Sequence, residues 1–150
     1  MNGDLKRVLF VCVGNACRSQ MAEAFARAYG PDVLIPASAG LYPAIRVAPD
    51  TIRAMDEKNL DLRHHFPKSI RQLGPRVRFD RVVNMSGFPL PDGMEAPIDS
   101  WDVPDPVSLS YDKHCAVRDK IESLVVQLVL DLRREQEPTR PRGQGSPTPG

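Results

Sequence analysis

The run "RVLFVC", residues 7–12, is continuously apolar and rich in β-branched side chains, the pattern of a strand buried on both faces. From Ser19 the period changes. Met21, Ala22, Phe25, Ala28 and Tyr29 recur at helical spacing, and Gly30 followed by Pro31 stops the helix. Strand, tight loop and helix in this order open a βαβ unit, which commits the chain to a parallel sheet.

The remaining segments extend the same alternation. "DVLIPASAG" predicts a second strand over 33–39, "RFDRVVNM" a third centred on Val82 and Val83, and the apolar pair Ile98 and Trp101 a fourth. "APDTIRAMDEKN" predicts a helix over 49–58 with Ile52 and Met55 inward and Asn59 at its stop. A long amphipathic helix over 110–134 places Tyr111, Cys115, Ile121, Leu124, Val125, Leu128 and Leu132 on one broad face. The expected fold is α/β: a single domain over 1–136, with a four-stranded parallel sheet flanked by helices on both faces in a Rossmann-like three-layer sandwich. The final stretch, 137–150, is Pro- and Gly-rich without a large apolar residue and predicts a disordered tail.

At 150 residues and 41% hydrophobic composition, one modest core is all the chain supports. A net charge of +1 gives no field that argues for nucleic acid or a membrane as partner, so any basic site is local. Three cysteines, an odd number without regular spacing, do not make a disulfide framework and point to a reducing cytoplasm. "KRVLFVCV" imitates a signal peptide, but its apolar run is shorter than the about 7 residues an h-region needs.

Two of the three cysteines lie in "VCVGNACRSQ", between the first strand and the first helix. Five residues separate Cys12 from Arg18, and Gly14 sits where a tight loop calls for permissive backbone angles. Cys-x5-Arg alone is a common accident; its place at the carboxyl end of a strand gives it meaning. Backbone N–H groups and a helix N-terminus make an anion cradle there, and a guanidinium closes it with a planar fork. The same field favours the thiolate of a cysteine, and Ser19 is placed to donate to it.

"VLFVCVGNACRSQMAEA", with "SAG" at 38–40, "VAPDTIRAM", "HFPKS" at 65–69 and "WDVPDP" at 101–106, resembles the low-molecular-weight protein tyrosine phosphatases and the arsenate reductases that share their fold. The resemblance implies a phosphate-binding loop made of Val13, Gly14, Asn15, Ala16, Cys17, Arg18 and Ser19. It further implies Cys12 as nucleophile, Arg18 on the oxyanion, an Asp-Pro loop supplying the acid, and Asn15, Ser38 and His65 holding the loop's shape. Asp105 is the expected acid because Pro106 fixes a turn after it; Asp99 and Asp102 lack that proline. No metal or other cofactor is called for, and His64 and His65 have no carboxylate or cysteine at metal-ligand spacing.

Two chemistries divide this resemblance. A hydrolase would pass the phosphoryl group of a phosphorylated protein or small phosphomonoester to Cys12 and then to water, and is the first expectation. Tyr42 is then the candidate wall for a substrate ring. Gln20 and Trp101 resemble the arsenate reductase branch instead. The thioredoxin-linked reductases need two further cysteines near the third strand, where this chain reads "VVNMSGFPLPDG", so the alternative is arsenate reduction with an external thiol reductant. Cys17 is a candidate redox partner for Cys12, and Cys115 is expected to be buried on the last helix. Arg76, Arg78 and Arg81 read as a solvated strand entry.

Overall fold

The computed structural model describes residues 5–74 and 77–137. β1 (Lys6–Cys12), β2 (Leu34–Gly40), β3 (Arg81–Asn84) and β4 (Ile98–Ser100) form one sheet in the order β2-β1-β3-β4, every pair parallel. α1 (Arg18–Tyr29), α2 (Pro49–Asp56) and α3 (Tyr111–Gln136) complete the α/β fold. Alternation along β1 divides the interior, as a period of two dictates. Val8, Phe10 and Cys12 join a core with Met21 and Phe25 of α1, Met55 of α2 and Ile121, Val125 and Leu128 of α3. Leu9 and Val11 face the other way, with Ala39 and Val82, beneath Leu41, Ile70, Leu73, Phe79 and Leu90. That second face is thus closed by connecting segments and a short 3-10 turn at Arg71–Leu73.

Local chemistry sets the element ends. α1 stops at Gly30, whose N–H bonds the Ala26 carbonyl, and an added Cβ there would meet Val129 of α3 at 2.7 Å. Pro49 opens α2, where its missing N–H costs nothing. Asn59 follows α2 in the left-handed region, with φ of 61°. Ser110 caps α3, its hydroxyl accepting from the Lys113 amide.

Three details differ from the sequence reading. Ile98 is not inward: β4 is a short edge strand exposed along its length, and only Trp101, just beyond it, packs inside, against Phe10 at 5.9 Å. α3 also buries Val117 and Val129, absent from the expected face, and the polar His114 and Arg118, whereas Cys115 is only half-buried. The expected tail from 138 onward and Arg76 lie outside the described residues; Arg78 is exposed beside Glu95, and Arg81, partly buried, pairs with Asp99.

The topology fixes where a ligand binds. The chain runs outward from β1 to β2, then returns to the opposite side of β1 to lay down β3 and β4. The carboxyl end of β1 is therefore the switch point of the sheet, the place where open α/β folds form their crevice.

Candidate active site

Cys12 ends β1 and is 2% exposed. The loop after it turns its carbonyls outward: those of Cys12, Val13, Gly14 and Ala16 accept from the amides of Leu41, Tyr42, Ala44 and Ala48. Because N–H and C=O point to opposite sides of a trans peptide, the amides following Val13, Gly14 and Ala16 turn to the other side, forming a cradle of donors. The residue that takes the left-handed conformation is Asn15, with φ of 51°, not Gly14 as expected from its type. Gly40 is the glycine the loop depends on, since a Cβ there would meet the Val13 carbonyl oxygen at 2.7 Å and the Asn15 nitrogen at 2.8 Å.

The Cys12 sulfur lies 2.9 Å from Ser19 Oγ and 3.4 Å from the Ser19 amide, which donates to it. Asn15 Nδ2 donates to Ser19 Oγ at 2.7 Å, which leaves the Ser19 hydroxyl hydrogen free for the sulfur. Arg18 is 4% exposed. Its Nη1 donates to the carbonyls of Met85 and Val103, beyond β3 and β4. Nη2 lies 3.6 Å from Asp105 Oδ2, and Nε is buried without a hydrogen-bond partner among the described residues. One edge of the guanidinium is thus spent on the protein, while the Nε–Nη2 edge, the one that grips two oxygens at once, has only Asp105 beside it among the described residues.

Asp105 is half-exposed and accepts from the Val107 amide. Of the three candidate acids it alone pairs with Arg18; Asp99 pairs with Arg81, and Asp102 is anchored through its carbonyl by Lys120. Arg18 and Asp105 open into a cleft of about 860 Å³ walled by Phe88, Leu90 and Trp101. Tyr42 is 78% exposed and stands outside that wall, its amide tied to Val13.

The supports are more connected than the sequence suggests. Gln20 is fully buried: its Nε2 lies within hydrogen-bond distance of Asn15 O, Asn15 Oδ1 and Phe66 O, and its Oε1 accepts from His65 Nδ1 at 3.1 Å. His65 therefore reaches the loop through Gln20, and burial pushes its pKa down. Asn15 Oδ1 also accepts from the Lys68 amide. Ser38 does not bond the loop; it donates to Glu23 of α1, which pairs with Arg27. Cys17, at the N-cap of α1, is buried, and burial pushes its thiol up to about 11 against a lowering effect of Thr51. Thr51 in turn meets His114 at 2.9 Å. Glu23, Thr51 and His114 were not singled out from sequence; a polar residue at an inward helical position was the available signal. Among the described residues no cluster of His, Cys, Asp or Glu is placed to hold a metal ion, and no helix is long and apolar enough to cross a membrane.

The sequence profile of the low molecular weight phosphotyrosine protein phosphatase family matches residues 7–88. A glutaredoxin arsenate reductase of Synechocystis is 31% identical over 85% of this chain and 99% of its own. An arsenate reductase solved in the phosphate-binding state superposes with a TM-score of 0.77 at 30% identity, covering 85% of this chain and 99% of its own. An arginine phosphatase from Geobacillus stearothermophilus superposes with a TM-score of 0.72 at 25% identity, covering 87% and 94%.

Gln20→Met keeps the volume and removes the bonds. At about 1–3 kcal/mol for each buried group left unpaired, the variant is expected to lose roughly 2–4 kcal/mol of stability. Its affinity for inorganic phosphate should weaken as well, measured by titration calorimetry beside urea unfolding. An unchanged urea midpoint and phosphate affinity would show that Gln20 does not brace the loop.

Proposed function

We propose that this chain, which belongs to the low molecular weight phosphotyrosine protein phosphatase family, is an arsenate reductase that completes its reaction with an external thiol. The observation that carries the oxyanion chemistry is Arg18, a buried cation whose Nε has no hydrogen-bond partner among the described residues. Arsenate and phosphate are isosteric tetrahedral oxyanions, and both suit that edge. The choice between them is supported by the relatives of 31 to 34% identity, which are arsenate reductases, and by Gln20, whose amide is built into the loop.

The residues perform the reaction as follows. Arsenate sits on the loop amides and Arg18, which hold its charge as bonding changes. The Cys12 sulfur attacks arsenic, and an oxygen leaves as water after taking a proton from Asp105. This forms a Cys12–S–As(V) bond. The sulfur of an external thiol, RSH, then attacks Cys12 Sγ, and the S–As electron pair passes to arsenic, which leaves as arsenite. A second RSH resolves the mixed disulfide, releasing RSSR and restoring Cys12. Two thiols are oxidised and one As(V) is reduced to As(III), so the electrons balance. The thiol comes from outside because the chain's other cysteines are Cys17, held protonated by burial, and Cys115, set against Tyr111 on α3. A reducing cytoplasm supplies such thiols.

Phosphatase activity is the second reading, favoured by the aromatic and aliphatic wall of Phe88, Leu90 and Trp101, which suits an aryl phosphate or a phosphorylated protein side chain. A parallel assay separates the two: arsenate with low-molecular-weight thiols and with glutaredoxin, against p-nitrophenyl phosphate, each with Cys12→Ser as control. The expected result is Cys12-dependent arsenite formation with two thiols consumed per arsenite, and slower ester hydrolysis. Cys12-dependent hydrolysis without arsenite formation would reverse the assignment.

Cys17 also lies near enough to Cys12 for each charge to act on the other, and we propose that it captures an oxidised Cys12 as a disulfide. With the Cys17 thiol pushed up to about 11, capture should be slow at pH 7 and quicken as pH rises. Mass spectrometry after mild peroxide checks this; a Cys12 that over-oxidises at every pH with no link to Cys17 rejects it.

A further inference from the structure

Two carbonyls hold Arg18, and only one of them is aimed from behind. Nη1 donates to Met85 O and Val103 O. The Val103 carbonyl belongs to a peptide whose nitrogen is that of Pro104, so this peptide has no N–H by which a side chain could turn it. The Met85 carbonyl shares its peptide with the Ser86 N–H, which donates to Asn84 Oδ1 at 2.9 Å. The N–H and C=O of a trans peptide point in opposite directions. Fixing the Ser86 N–H on Asn84 therefore turns the Met85 carbonyl the other way, toward Arg18.

Asn84 can set this direction because it is itself held. It ends β3 and is buried, its carbonyl accepting from the Trp101 amide, and the next N–H, that of Met85, donates to the Val11 carbonyl at 2.7 Å. The backbone here is thus tied to β1 on one side and to the segment after β4 on the other. Beyond it the ladder stops, since the Ser86 amide is captured by the Asn84 side chain in an Asx-turn. Ser86 Oγ donates to the same Oδ1 at 2.6 Å, the shorter of its two contacts, which fills both lone pairs of that oxygen. Asn84 Nδ2 donates to the Phe88 carbonyl at 2.8 Å, and the Phe88 amide closes the turn on Ser86 Oγ at 3.0 Å. Gly87, with φ of 81°, supplies the left-handed residue that brings Phe88 back. Aspartate at 84 would set a second acceptor against the Phe88 carbonyl, and leucine would leave the Ser86 N–H without its partner.

We propose that Asn84 is a positioning residue for Arg18: by holding the Ser86 N–H it aims the Met85 carbonyl at Nη1, and so leaves the Nε–Nη2 edge for the oxyanion. The proposal rests on the reading of Arg18 as the cation that receives the oxyanion, and it serves arsenate and phosphate chemistry alike. Asn84 acts through one peptide plane. It accounts for a buried amide at the end of β3 whose bonds all serve the turn that follows.

Calorimetric titration with inorganic phosphate tests it. Asn84→Leu, which keeps the branched shape and removes both polar atoms, is expected to weaken phosphate binding by about 10- to 100-fold, the span of one charged hydrogen bond. Ser86→Ala keeps both Asn84 and the Ser86 N–H, so it should change phosphate affinity by less than about threefold, whatever it costs in stability. Arg18→Lys removes the two-nitrogen edge, and adding Asn84→Leu to it should cost less than about threefold more. Unchanged phosphate affinity in Asn84→Leu, an equal loss in Ser86→Ala, or full additivity with Arg18→Lys overturns the proposal. Should Asn84→Leu fail to fold, Asn84→Ala takes its place with the same expectations. Should the wild-type protein bind no phosphate, the oxyanion reading falls, and the aim of the Met85 carbonyl is decided by 15N NMR of the Arg18 side chain. The two Nη1 hydrogens, held on Met85 and Val103, are expected to give separate resonances in the wild type that merge in the Asn84 variant. The same Arg18 spectrum in both overturns the proposal.

Discussion

The site depends on the way Arg18 is held. A buried guanidinium is costly unless its donors are met, and two backbone carbonyls, Met85 after β3 and Val103 after β4, take Nη1. Those contacts join the first helix to the two segments beyond the far strands of the sheet. They also decide which edge of the fork remains. With Nη1 committed, Nε is left unpaired among the described residues and Nη2 only loosely balanced by Asp105. In the reaction we propose, an oxyanion completes this arrangement by supplying the missing acceptors beside Asp105, the proposed acid.

Around that cation the loop is arranged by exclusion as much as by attraction. Gly40 leaves room for the loop to lie against β2, which a single Cβ would deny it. The amides of residues 41–48 occupy the loop's carbonyls, and its own amides face the ligand. Asn15 accepts the strain of a left-handed residue and is compensated on all sides, by Ser19, Gln20 and Lys68. The two neighbouring cysteines, both buried, stand in different surroundings. Cys12 receives donors from Ser19, whereas burial pushes the Cys17 thiol up to about 11, against the lowering effect of Thr51. Two cysteines in one short loop therefore have different chemistry.

The sheet and the helices were legible because they are written in local periodicity: the apolar run of β1, the 3.6-residue repeat of α1 and the long face of α3 need no tertiary knowledge. Cys12, Arg18 and Asp105 were singled out through the resemblance their motifs carry and the proline after Asp105, and the structure sets Arg18 3.6 Å from Asp105. What the sequence hid are bonds between distant segments. The carbonyls of Met85 and Val103 carry no side-chain signature, and neither Thr51 nor His114 has meaning until α2 and α3 are packed together. Gly14 misled for the opposite reason, since its residue type suggested a conformation that Asn15 adopts through its own hydrogen bonds. Ile98 misled because a short edge strand imposes no inward face on its residues.

The central claim is that Arg18 keeps its Nε–Nη2 edge for an oxyanion presented to Cys12. A crystal structure of the protein with inorganic phosphate tests it most directly. Two phosphate oxygens are expected about 2.7–3.2 Å from Nε and Nη2, a third on the loop amides, and phosphorus facing the Cys12 sulfur. Phosphate bound elsewhere, with Arg18 still paired to Asp105 and its Nε unmet, would contradict the account.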